Sequence, residues 1–223
     1  MPSLFTSVLI VHISGGTTGL ISGTIAASAK KGGKLHKASG VVFFWGMLTA
    51  SLVAFVLSNL PGHHSIFLFA VGGFTLYMIC SGYRIVYLKR SAKHNEKPFG
   101  PVDYGILLFG FCFGIFLIYM GITTVISGVS FGIVPAVFGM ICMNFARHDY
   151  RMLFKALPVK SIWMHSHIVR MMGAMIASYT AFLVVNVRFE PNWILWLAPT
   201  LAGTALIVFF LRKYTPDTKK MNG

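Results

Sequence analysis

An all-α integral membrane bundle of seven transmembrane helices is the fold class predicted by composition, by the lengths of the apolar runs and by the placement of the basic residues. Hydrophobic residues make up 56% of the 223, and only five are acidic. The mean hydropathy is +0.73, a composition that belongs to multi-pass membrane proteins rather than to a soluble core. The formal charge of +14 would suggest nucleic acid if it formed one basic face. Its distribution along the chain excludes that reading.

Apolar runs near the ~20 residues that cross a bilayer occur seven times: Leu4 to Ala27, Ala38 to Leu60, Ser65 to Leu88, Tyr104 to Ile126, Phe131 to Phe145, Ile162 to Val187 and Trp193 to Leu211. The first opens on "MPSLFTSVLIVHISGG", which lacks the basic start of a secretory signal and is read as a retained helix. Turn residues punctuate the joints, as in "KKGGK" before the second run and "NLPGHHS" before the third. The fifth run is the shortest and contains Pro135, so its limits are the least defined by pattern. Residues 1–213 therefore read as one transmembrane domain and 214–223 as a short basic tail.

Lysine and arginine alternate from joint to joint. Four lie between the first and second runs, five at the joint of the third and fourth when Arg84 in the last turn of the third is included, four between the fifth and sixth, and four in the tail, against Arg188 alone in the other joints. Basic loops stay cytoplasmic, so the expected topology has the N-terminus outside and the C-terminus inside. The positive charge is a topology signal, supplemented by attraction to anionic lipid. Cys80, Cys112 and Cys142 fall in separate runs without a CxxC spacing, which argues against a disulfide framework.

Ionisable residues inside such runs are costly and invite a functional question. His36 begins the second run in "KLHKASG". His148 and Asp149 follow the fifth in "NFARHDYRM", and His165 and His167 open the sixth in "WMHSHIVRMMG". All five are expected near the cytoplasmic boundary. Residues two apart on a helix point about 200° apart, so His165 and His167 face different neighbours. His167 shares its stripe with Arg170, Ala174 and Ala181 and is expected to face inward. Arg170 lies too far inside to be a loop charge and is expected to snorkel, to pair with Asp149 or to meet an anionic group.

Three chemistries fit the cluster. His36, His148, Asp149, His165 and His167 have the donor types of a zinc, iron or manganese site, which with an open position would permit hydrolysis. Alternatively, His36 and His167 hold a b-type haem between helices, with Gly40 leaving room for the porphyrin and Arg170 compensating a carboxylate or propionate. An outer site would use His12, with Gly16 four residues on, and His63 or His64. In the third reading the histidines only hydrogen-bond helix ends and headgroups. Gly15, Gly19 and Gly23 form a small-residue stripe for close helix packing.

Several classes are disfavoured. No HExxH, GxSxG, Walker loop or strand-linked GxGxxG is present. The seventh run has no lysine for a retinal Schiff base, and the last-helix HxxxH of ceramidase-like and progestin-receptor-like membrane hydrolases is missing. A transporter lacks paired broken helices.

The combination of "KLHKASGVVFFWGML" and "WMHSHIVRMMGAMIASYTAFLVVN" resembles a bacterial membrane-protein family known as a domain of unknown function. There, one helix opens with His and a Gly four residues on, and a later one with His, then Met or Arg, then an Ala/Thr-rich run. The matching positions are His36 and Gly40, then His167, Arg170 and Met171. The resemblance implies a bacterial inner-membrane location and no particular reaction. A fainter similarity is to the cytochrome b561 and ferric-reductase type of haem-binding bundle, although this chain lacks their paired histidines within single helices.

The leading expectation is an inner-membrane protein holding haem b or a divalent metal (Zn, Fe or Mn) through His36 and His167, with a quinone or membrane-protein partner for electron transfer. Its rivals are a structural or accessory subunit, whose glycine stripe meets a partner, and then a membrane-embedded metal hydrolase.

Overall fold

The computed structural model describes residues 4–93, 99–155, 159–191 and 193–215. His94 and most of the basic tail lie outside them. Every long element is helical: α1 (Leu4–Ser28), α2 (Lys34–Leu57), α3 (Ile66–Lys93), α4 (Pro101–Ile126), α5 (Ile133–Phe154), α6 (Val159–Asn186) and α7 (Trp193–Tyr214). Among the described residues no strand occurs, and all seven helices are long and apolar enough to cross a membrane.

Helix α3 is the centre of the bundle. It packs on α2, α4, α5 and α6, while α1 lies against α2 and α6, and α7 against α6. Its membrane-spanning stretch is the most enclosed of the seven, because Ala70, Phe74, Tyr77, Met78 and Ile79 all meet other helices. The outer flanks of α1 and α7 carry exposed Ile10, Ile13, Leu201 and Phe209, apolar surface that suits contact with lipid tails.

Glycines bring α1 onto α2. A Cβ on Gly15 would stand 3.0 Å from the Gly46 carbonyl, and one on Gly46 would stand 2.8 Å from both the Gly15 carbonyl and the Gly19 nitrogen. Gly19 meets Met47 and Gly23 meets the Phe43 ring, so the small-residue stripe is occupied within the chain. Gly46→Leu is therefore expected to lower stability by about 1–3 kcal/mol through overpacking. The check is the thermal midpoint in detergent, with Gly105→Leu as a control because a Cβ there meets nothing within 4 Å.

The joints end helices for local reasons. Gly32 (φ 77), Gly62 (φ 76) and Gly128 (φ 85) adopt the left-handed conformation that side chains disfavour. Helix α4 starts with Pro101 after Gly100, whose N–H donates to Asp103 at 2.8 Å, satisfying a helix-end donor.

Helix α5 differs from the limits that hydropathy suggests, running to Phe154 rather than stopping at Phe145. Cys142, Ala146, Asp149 and Met152 are buried at helical spacing while Arg147 and Arg151 stay outside. The charged segment is thus a helix with one polar residue turned into the bundle. Pro135 sits in its first turn, where its missing N–H costs no internal hydrogen bond.

Candidate functional site

Most of the candidate residues collect at the end of the bundle that carries the basic joints. His36 is in the first turn of α2, and His167 lies on α6. Their ring centres are 6.5 Å apart and their planes cross at 82°. The two histidines, 131 positions apart in sequence, are therefore neighbours in the bundle, their rings in an edge-to-face arrangement.

Each ring is held by a carbonyl of a further helix. His36 Nδ1 donates to Ala26 O of α1 at 2.9 Å, and His167 Nδ1 donates to Gly82 O of α3 at 2.8 Å. A carbonyl only accepts, so Nδ1 carries the proton in each ring. In the neutral imidazole Nε2 then keeps its lone pair, the tautomer suited to ligation. His12 has the same arrangement toward Ala50 O at 2.9 Å.

Gly82 explains why His167 reaches α3. A Cβ there would lie 3.0 Å from Arg170 Cβ and from Met171 Sδ, so only glycine lets α6 approach this closely. Gly40, one helical turn beyond His36, borders open space, with nothing within 4 Å of an added Cβ. Lys31 completes the neighbourhood from the α1–α2 joint. Its Nζ donates to Ala26 O at 3.1 Å and to Ala27 O, and it lies 4.2 Å from the centre of the Phe210 ring. Burial pushes its amine below the usual lysine range.

A second polar centre lies deeper. Arg170 donates from Nη1 to Asp149 Oδ2 at 3.0 Å and from Nη2 to Oδ1, while the Tyr77 hydroxyl donates to Oδ2 at 2.6 Å. Tyr77 is 0% exposed, Arg170 2% and Asp149 5%. The carboxylate that Arg170 neutralises is therefore that of Asp149, in a forked geometry that joins α3, α5 and α6. A second fork, Arg84 to Asp103 at 2.8 and 2.7 Å, ties α3 to α4. The two pairs flank a cavity of about 20 Å³, also lined by Ser81 and Ser166. That space is enough for about one water; Arg170 also lines it, and its Nε has no hydrogen-bond partner among the described residues.

Neither Tyr77 nor the Arg84–Asp103 pair stands out by pattern. A tyrosine in "FTLYMIC" reads as another apolar-run aromatic, and Arg84 counts naturally with the basic joint that follows it. The available signal was the scarcity of acids, since two of only five sit at helix positions near this end.

The remaining candidates are dispersed. His165 is exposed on α6, two residues from His167, as its angular offset requires. His148 has a buried, unpartnered Nδ1. Among the described residues no group of three or more His, Cys, Asp or Glu is placed to hold a metal ion. At the opposite end His63 stacks on Phe5 at 3.7 Å, while His64 is exposed.

Comparison with protein-family models, with curated proteins and with solved structures finds no match to this chain. Its own geometry is what bears on function.

Proposed function

We propose that this protein is a membrane electron carrier that holds a b-type haem between His36 and His167 at the basic end of the bundle. The observation that carries this reading is the spacing of the two rings. A metal–nitrogen bond of ~2.0 Å, with ~1.1 Å more from nitrogen to ring centre, separates two imidazoles by ~6.2 Å when they lie opposite each other on one ion. At a tetrahedral angle the same bonds bring the centres to ~5 Å. The separation of 6.5 Å matches the opposed arrangement.

Two histidines are enough to hold a haem. A zinc site takes three or four protein donors, whereas a haem would be held by His36 and His167 alone. Held by both histidines, a haem would supply one-electron chemistry. The protein's part is to fix the tautomer of each histidine through Ala26 O and Gly82 O, and to keep the rings crossed at 82°. Arg170 and Asp149 act behind His167 by locking α6 to α5. The electron partner would be a quinone or another membrane protein.

The open space at Gly40 is assigned to the porphyrin edge. Gly40→Leu is therefore expected to leave the thermal midpoint of the cofactor-free protein unchanged while lowering haem occupancy at least tenfold, read as the ratio of Soret to protein absorbance. Equal occupancy in the variant would remove Gly40 from the site. The seventeen-to-one split of basic residues supports an orientation with this end in the cytoplasm of a bacterial inner membrane. Thiol labelling of single cysteines placed at Lys34 and at Arg188 in intact cells should modify only the latter; the reverse pattern would turn the protein over.

A further inference from the structure

A second cavity bordered by described residues lies at the other end of the bundle, away from the histidine pair. Its volume is about 360 Å³, within the range of small-molecule sites. The end of α6 and the start of α7 form its walls through Val184, Leu195 and Trp196, while Val187, Arg188 and Glu190 lie on the connecting segment.

Three features select the ligand. First, Arg188 is the one basic residue in the joints at this end, where the topology rule would otherwise exclude it. Second, Arg188 and Glu190 border the same cavity without forming a salt bridge with each other, and neither makes a side-chain hydrogen bond among the described residues. A cation and an anion kept apart in one pocket complement a ligand with both charges. Third, the cavity is at headgroup depth: Trp193 is exposed at the first residue of α7, and Trp196 packs edge-on against Phe67 at 5.4 Å and Phe131 at 6.2 Å. Tryptophans at helix ends mark the bilayer interface.

We propose that this cavity binds a zwitterionic phospholipid with a primary ammonium, its phosphate on Arg188 and its ammonium on Glu190. The acyl chains then run along Val184, Val187 and Leu195. A primary ammonium donates hydrogen bonds to the Glu190 carboxylate; a quaternary ammonium has no N–H to give. Arg188 recognises the phosphate common to both headgroups. The site is independent of the haem reading, and its occupancy requires no cofactor.

Native mass spectrometry of the full chain, equilibrated with equal amounts of phosphatidylethanolamine, phosphatidylcholine and phosphatidylglycerol, reads the retained lipid directly. Phosphatidylethanolamine should be retained about fivefold or more over phosphatidylcholine, the discrimination expected from one charge-assisted hydrogen bond at an open site. Glu190→Gln should erase that difference, and Arg188→Gln should lower retention of both lipids. Both side chains are exposed, so folding is expected to survive, with an unchanged thermal midpoint as the control. Equal retention of the two zwitterionic lipids by the native chain, or an unaltered preference in the variants, would overturn the proposal. Displacement by soluble phosphoethanolamine would overturn the assignment to a lipid.

Discussion

Replacing His167 by alanine is expected to abolish haem retention in the purified protein while leaving the seven-helix bundle intact. His36→Ala should do the same, because a single axial imidazole gives up half of the protein's hold on the iron. Each variant is checked by the absorbance ratio of Soret band to protein and by circular dichroism of the same sample. Loss of the Soret band with unchanged helicity assigns the ligands; retained, unshifted bands in both variants would dismiss the pair. His165→Ala is the matched control, since His165 lies exposed on the other side of α6. The 82° crossing of the rings adds a signature that alanine scanning does not touch. Ferric haem between crossed imidazoles gives a highly anisotropic low-spin paramagnetic resonance signal, whereas parallel rings give a rhombic one.

The second large effect concerns the buried charges behind His167. Asp149→Asn leaves Arg170 as an uncompensated cation that is only 2% exposed. Removing one partner from a buried ion pair costs about 3–5 kcal/mol, and Tyr77 also loses its charged acceptor. The expected result is a protein that unfolds in detergent at much lower denaturant concentration. Asp149→Leu combined with Arg170→Met should regain most of that loss, because the desolvation cost disappears with both charges. If the double variant were as unstable as the single one, the network would be held by something other than charge pairing. Asp103→Asn is expected to cost less, since Arg84 retains 21% side-chain exposure and water can take over its donors.

Much of the fold could be read from hydropathy because lipid imposes a simple length rule. The seven helices begin and end within about five residues of the apolar runs, except α5, which runs nine residues further. Helix α5 shows the limit of that rule. Asp149 lowers the local hydropathy and suggests an exit from the bilayer, yet its charge is cancelled by Arg170, a residue 21 positions away on another helix. Hydropathy sums residues along the chain and cannot register a partner across the bundle. The same limit concealed Tyr77, and it separated Arg84 from Asp103 by assigning one to a joint.

The candidate site was legible in part. Angular offset on a helix sets His165 and His167 on different sides, and the small-residue stripe that His167 shares with Arg170, Ala174 and Ala181 marks its side as the inner one. The proximity of His36 to His167 depends on which helices are neighbours, and helix order in the bundle is set by packing rather than by periodicity. Gly82 shows how this works: its importance comes from Arg170 and Met171 pressing on it, a contact with no trace in the local sequence. The glycine stripe of α1 was visible as a packing surface, while its partner Gly46 was not.

The most direct measurement is the absorbance spectrum of the native protein, purified in detergent from cells supplied with haem and recorded oxidised and after dithionite. With His36 and His167 on one iron, the expected result is one haem per chain, a Soret band that shifts on reduction, and sharp reduced bands of a six-coordinate b-type centre. Folded protein with no visible bands at stoichiometric concentration would contradict the haem assignment outright.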